Sequence, residues 1–144
     1  MTAKHSLYFF FSLLIASCVP APVGAQEWIV ATTGSYHFNT RHYYNEKNFG
    51  LGYETEFRKN VKGSFGFYRN SFRKDTLYTG ITYLPLNFGK FRIGGTAMLI
   101  SGYSEKQEFV PIAAPMIHYE QQKWGVNTIM TTSVVAFQVK WKLD

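Results

Sequence analysis

Cysteine is almost missing from this chain of 144 residues, with Cys18 the single example. Any mature form that begins beyond it has no disulfide framework, no Cys-based metal site and no cysteine nucleophile. Acidic residues are also scarce. Nine Asp and Glu stand against fifteen Lys and Arg, a net charge of +6 that suits an anionic surface. Beyond the N-terminal stretch no apolar run approaches the roughly 20 residues of a membrane-spanning helix, and helical periodicity is absent throughout. A membrane location would therefore have to be reached as a closed barrel.

What is present begins with a leader. Lys4 and His5 form a short polar start, Leu7 to Ala16 an apolar core, and Val23-Gly24-Ala25 a small-residue cleavage site before Gln26. This pattern predicts a secretory signal over residues 1–25 and a mature domain over 26–144. Ile15-Ala16-Ser17-Cys18 offers a rival processing site at which Cys18 would be acylated and retained. Aromatic residues are abundant at 18%, and glycine is frequent.

Eight strand-like segments follow, at about 28–38, 49–58, 63–70, 76–84, 90–100, 107–118, 123–130 and 134–143. In the second, Phe49, Leu51, Tyr53 and Phe57 alternate with Gly50, Gly52, Glu54, Glu56 and Arg58. In the last, Val135, Phe137, Val139, Trp141 and Leu143 alternate with Ala136, Gln138, Lys140 and Lys142. Period two with one apolar face is the mark of a half-buried strand. The expected fold is all-β: an eight-stranded antiparallel up-and-down transmembrane β-barrel.

The connections fall into two sets. Residues 58–62, 84–89 and 119–122 read as compact turns on one side. The long 39–48 loop, 71–75, 101–106 and the link near 131–133 lie on the other, which is external if the N-terminus arrives from the periplasm. That set carries Arg41, Lys47, Arg73, Lys74 and Lys106, with Arg69 just beneath, a basic ring suited to lipid phosphates or simply to solvent.

The middle strands lack a polar face. Phe91, Ile93, Ala97 and Leu99 share one parity, and Gly94, Thr96, Met98 and Ile100 the other. Such strands cannot line a water channel, so the lumen there is either plugged by side chains or able to hold an alkyl chain. Pro111 and Pro115 fall within one segment, where each removes a donor from the ladder, so this stretch is expected to be a weak or interrupted edge.

Two polar clusters, Ser35-Tyr36-His37 and Arg69-Asn70-Ser71, end strands on the same predicted rim. A histidine and a serine hydroxyl at one end of a molecule are the groups that acyl transfer uses, because a serine needs a neighbouring imidazole to take its proton.

Several motifs in the same order carry a resemblance: Ile29-Val30-Ala31-Thr32, Tyr36-His37, Tyr44-Asn45-Glu46, Phe49-Gly50-Leu51-Gly52, Asn70-Ser71-Phe72, Pro111-Ile112-Ala113-Ala114-Pro115 and Val139-Lys140-Trp141-Lys142-Leu143. Together they resemble the lipid A palmitoyltransferase (PagP) family over most of the mature chain. The resemblance implies an outer-membrane barrel with an apolar acyl-binding interior. It also implies transfer of a fatty acyl chain from a phospholipid to lipid A, the anchor of lipopolysaccharide. His37 would be the base or proton carrier, Ser71 the essential hydroxyl, and Asn70 would stand where the family has an aspartate. Thr82 and Met98 would line the acyl pocket, Thr82 standing where the family can have a glycine and so shortening the chain that fits.

Asparagine cannot stabilise an imidazolium by charge, which leaves Asp75 or Glu46 to supply a carboxylate. Only Gln26 and Glu27 precede the first strand after cleavage, so the family's leading amphipathic helix is expected to be missing. The expected partners are a phospholipid donor, a lipopolysaccharide acceptor and the outer membrane. No nucleic acid, metal or cofactor is expected, and a closed barrel without a free edge defaults to a monomer. Two other functions compete: a non-catalytic small outer-membrane barrel, and a lipid A deacylase in which water replaces the acceptor.

Overall fold

The computed structural model describes residues 25–39 and 41–144. The leader and Cys18 lie outside the described residues. Eight strands run in order: β1 Gln26–His37, β2 Gly50–Arg58, β3 Val61–Arg69, β4 Asp75–Phe88, β5 Phe91–Ser101, β6 Phe109–Glu120, β7 Trp124–Met130 and β8 Val134–Lys142. Each pairs antiparallel with its sequence neighbour, and β1 closes on β8 to complete the barrel.

Closure follows from alternation. Along β4 the even positions Thr76, Tyr78, Thr82 and Leu84 are buried, and Leu77, Ile81 and Tyr83 face outward. The outer surface is therefore apolar and aromatic, with Ile29, Leu51, Phe65, Phe67, Leu99, Phe137 and Trp141 all exposed. Both ends of the described chain share one end of the barrel with the short turns, and the long loops crown the other end.

Two features depart from the simple reading. Residues 84–89 were expected as a turn after Leu84, yet β4 continues through Pro85 to Phe88. A register shift between Tyr83 and Leu86 absorbs the proline, and the Leu84 amide donates to Asn60 O at 2.9 Å instead. The turn itself falls at Gly89, whose φ of 64° suits glycine.

The second departure lies in the wall, where the interruption expected at the prolines is missing on the β5 side. β5 and β6 pair without interruption from Phe91↔Tyr119 to Ser101↔Phe109, through both prolines. β7, however, pairs with β6 only from Met116 to Glu120. Pro111 and Pro115 have the same parity, so their missing N–H groups fall on one side of the strand, and the intact β5 ladder puts that side toward β7. The upper half of β6 therefore runs past the end of β7 at Met130 as an unpaired edge, the weak edge expected of this stretch.

Candidate functional site

Inward-facing residues divide the lumen into a charged lower half and an apolar upper half. In the lower half Glu54 on β2 is the central anion. Its Oε1 accepts from Lys62 Nζ at 3.1 Å and from Lys140 Nζ, and its Oε2 accepts from Asn127 Nδ2 at 3.0 Å. His118 places its two ring nitrogens 2.7 Å from Asn127 Oδ1 and Glu120 Oε2. Lys140 Nζ also lies 4.4 Å from the centroid of the fully buried Trp28 ring, a favourable cation–π distance. Below them Arg92 grips Glu56 through two bonds of 3.0 Å. Every buried charge here has partners, the condition under which an interior can carry charges at all.

This layer plugs the barrel. Beneath it opens a polar mouth of about 1020 Å³, lined by groups such as Glu56, Arg92, Glu120 and Lys123. Above it sits a separate cavity of about 360 Å³. The upper cavity has an apolar wall of Met98, Ile100, Val110, Ile112, Ile129 and Ala136 from β5 to β8. Its deepest polar groups, Thr32 and Gln138, are register partners across the β1–β8 seam. Gln138 in turn accepts from Asn127 and so joins the cavity floor to the plug. An apolar cluster of Leu84, Ala114, Met116 and Ile129 packs below the Met98 side.

Tyr78 reaches into this cavity because two glycines make room for it. Gly52 and Gly66 are register partners on β2 and β3. A Cβ on Gly52 would strike the Tyr78 hydroxyl, and one on Gly66 would come within 2.8 Å of its ring. These two glycines form the bed of a tyrosine.

The mouth of the cavity carries hydroxyls: Ser35, Ser71, Thr131, Ser133 and Tyr103. Ser71 lies in the turn between β3 and β4, beside Tyr103. The Tyr103 and Tyr68 hydroxyls bond at 2.9 Å. Burial raises the Tyr103 phenol above its ordinary range, and hydrogen bonds with Tyr68 and Ser71 counter part of that rise. Tyr103 is therefore a neutral partner for Ser71, unable to act as its base.

His37 occupies the same rim but outside the cavity lining. Its ring stacks on Tyr44 with centroids 4.3 Å apart and planes 18° from parallel. Tyr44 meets Phe72 edge-on at 5.9 Å, and Phe72 meets Tyr103 at 5.8 Å. The loop between β1 and β2 thus runs between the histidine and the serine. It is pinned on both sides, by Ser35 N to Glu46 O at 2.9 Å and by Asn45 N to Ser71 O at 2.9 Å. Among the described residues no hydrogen bond joins His37 to Ser71.

Asn70 is fully buried and wholly occupied by the turn it organises. Its Oδ1 accepts from the amides of Phe72 at 2.8 Å and Lys74 at 3.0 Å. Its Nδ2 donates to Thr76 Oγ1 and to Gly102 O, both at 3.0 Å. Backbone amides can only donate, so the orientation of this carboxamide is fixed. All four of its hydrogen-bonding positions are used, and none is left to orient His37.

Of the two expected pocket residues, Met98 lines the cavity. Thr82 is buried one level deeper, where its hydroxyl donates to Thr96 Oγ1 at 2.9 Å, outside the lining. The glycine at cavity level is Gly80, two residues earlier on the same face, and a Cβ there would come within 2.5 Å of Met98 Cγ. Asp75 pairs with Arg69 at 3.6 Å in full solvent, whereas Glu46 stands beside His37, its Oε1 4.0 Å from Nδ1. The basic loop residues Arg41, Lys47, Arg69, Arg73, Lys74 and Lys106 are exposed at this same end.

Sequence reading missed the plug. Glu54 and Lys140 were visible in the polar parity of the second and last segments, but Lys62 read as part of a turn, and alternation alone does not say that these two and His118 converge with it from four strands. The tyrosine pair at the mouth had no sequence signal.

No protein-family model matches this chain, and a search among curated proteins finds no match.

Proposed function

We propose that this protein is an outer-membrane acyltransferase that moves a fatty acyl chain from a phospholipid to lipid A. The observation that carries the reading is the upper cavity. It is apolar along its wall, closed beneath by a charged layer, hydroxyl-rich at its mouth and flanked by a strand edge without a partner. A closed-bottomed apolar pocket measures and shields an acyl chain, whereas a channel would be polar and open at both ends. The apolar outer surface suits lipid, and the unpaired upper half of β6 offers a sideways path for a chain that arrives from the bilayer.

The chemistry then divides between two groups. The acceptor hydroxyl attacks the acyl carbonyl, a new ester bond forms, and the bond to the phospholipid glycerol oxygen breaks. The proton of the acceptor passes to His37 and on to the departing glycerol oxygen, which leaves a lysophospholipid. Ser71, at the cavity mouth, donates to the carbonyl oxygen as negative charge develops on it, with Tyr103 holding the serine in place. The exposed cations of the loops supply charge-assisted contacts for the phosphates of the acceptor.

The separation of His37 from Ser71 and the structural use of Asn70 favour one competing reading, a barrel that binds an acyl chain without transferring it. Mass spectrometry of lipid A from cells with and without the protein distinguishes the two. An added acyl mass that disappears in Ser71→Ala and His37→Ala supports the transferase. A lost acyl mass points to a deacylase, and an unchanged profile to the non-catalytic barrel.

A further inference from the structure

We infer that Glu46 is the positioning carboxylate of His37, and that it does the work an aspartate next to Ser71 would otherwise do. For its chemistry this rests on the acyl-transfer reading; its geometry stands by itself. Glu46 lies nine residues beyond His37, in the loop between β1 and β2, and no motif links them.

The juxtaposition is built by three contacts. Gly34 lets the loop approach β1, since a Cβ there would stand 2.9 Å from Glu46 O. The Ser35 amide then donates to that carbonyl at 2.9 Å and fixes the glutamate's backbone against the strand. The His37 amide donates to Glu46 Oε1 at 3.2 Å, which turns the side chain toward the imidazole. The same oxygen ends 4.0 Å from His37 Nδ1.

On the other side, Nδ1 is a buried atom that has no hydrogen-bond partner. Such an atom is costly unless a partner is within reach, and catalytic hydrogen bonds that are long in the unliganded protein tighten when substrate arrives. Tyr44, stacked on the ring, leaves the imidazole its in-plane edge toward the carboxylate. A carboxylate at Nδ1 selects the tautomer protonated there, frees Nε2 to accept a proton, and stabilises the imidazolium that forms.

Among the described residues, the other elements around His37 bring no competing acid. The paired β8 residue is Val134, and Ser133 and Thr131 complete that link. From the turn between β3 and β4 come Phe72 and Arg73, and Arg73 spends its Nη1 on Tyr43 O. His42 lies beyond Tyr44, with ring centroids 5.6 Å apart.

The test uses the full barrel in phospholipid vesicles, with ¹⁵N-labelled histidine rings read by NMR and acyl transfer to purified lipid A assayed across pH. Glu46→Gln keeps an oxygen that can accept the His37 amide and removes only the charge. In this variant a fraction of His37 moves to the Nε2-protonated tautomer. The pH at which the ring takes its second proton falls, because the carboxylate that favoured the imidazolium is gone. The kcat falls about tenfold with KM little changed, and Glu46→Asp recovers part of both. An unchanged ring spectrum in Glu46→Gln overturns the inference. If the ring responds but the wild-type protein transfers no acyl chain, the pair stands and the transferase reading falls.

Discussion

Asn70 Nδ2 donates to Gly102 O at 3.0 Å, joining the turn between β3 and β4 to the loop between β5 and β6. The contact is close on both sides. Gly102 has a φ of 76°, and a Cβ there would crowd Asp75 O at 2.9 Å and Asn70 Nδ2 at 3.3 Å.

An aspartate cannot make this bond. Asn70→Asp would set a carboxylate oxygen against the Gly102 carbonyl and keep only the two accepted amides, at a cost of about 1–3 kcal/mol. Chemical unfolding in detergent should show the variant less stable than wild type. Its lipid A acylation should not rise, although the change introduces the aspartate of the family the sequence resembles.

Glu54 holds two buried lysines and an asparagine. Glu54→Leu strips Lys140 of its carboxylate and leaves Lys62 only Glu56 and Glu120, at 3.9 and 3.8 Å, which should cost about 3–5 kcal/mol. Urea titration of the vesicle-inserted barrel reads this loss. Replacing the exposed Asp75, paired only with Arg69, should cost under about 1 kcal/mol in the same assay.

Met98 lines the upper cavity and Thr82 does not. Met98→Ala should deepen the pocket and lengthen the preferred acyl chain, whereas Thr82→Ala should leave chain length unchanged and cost about 1 kcal/mol, the loss of one hydrogen bond, since the Thr96 hydroxyl keeps Ile81 O as its acceptor at 3.3 Å. Mass spectra of lipid A from the two variants decide the matter, and a shift in Thr82→Ala alone would move the pocket floor down one level.

Pro111 and Pro115 lie along the upper half of β6, which β7, ending at Met130, does not cover. Restoring both donors with Pro111→Val and Pro115→Val should extend the β6–β7 ladder only by the pair of position 115 with Met130, raising thermal stability slightly while slowing acyl transfer from vesicle phospholipid. Detergent-dispersed donor, which can enter from the rim, should be affected less.

The strand count, the sides on which loops fall and the two-sided β5 and β6 were legible because period two is a local property that barrel closure preserves. The proline-weakened edge was legible for the same reason, as a missing donor is written in the residue itself. Thr82 was misjudged by one level, because which inward residue meets a cavity depends on how far the neighbouring strands stagger. Asn70 read as a weakened catalytic group, since its four partners come from 72, 74, 76 and 102 and only the folded rim collects them.

The sequence by itself determined that the chain closes as eight antiparallel strands with an apolar exterior, and that His37 and Ser71 share one end. Both follow from alternation and from an even number of reversals, which no packing detail can change. Only the tertiary structure decided that charges from β2, β3, β6 and β8 meet in one plug, that an apolar-walled cavity remains above it, and that Glu46 stands beside His37. Those outcomes depend on stagger between strands and on loop docking, and each is set by contacts between residues far apart in the chain.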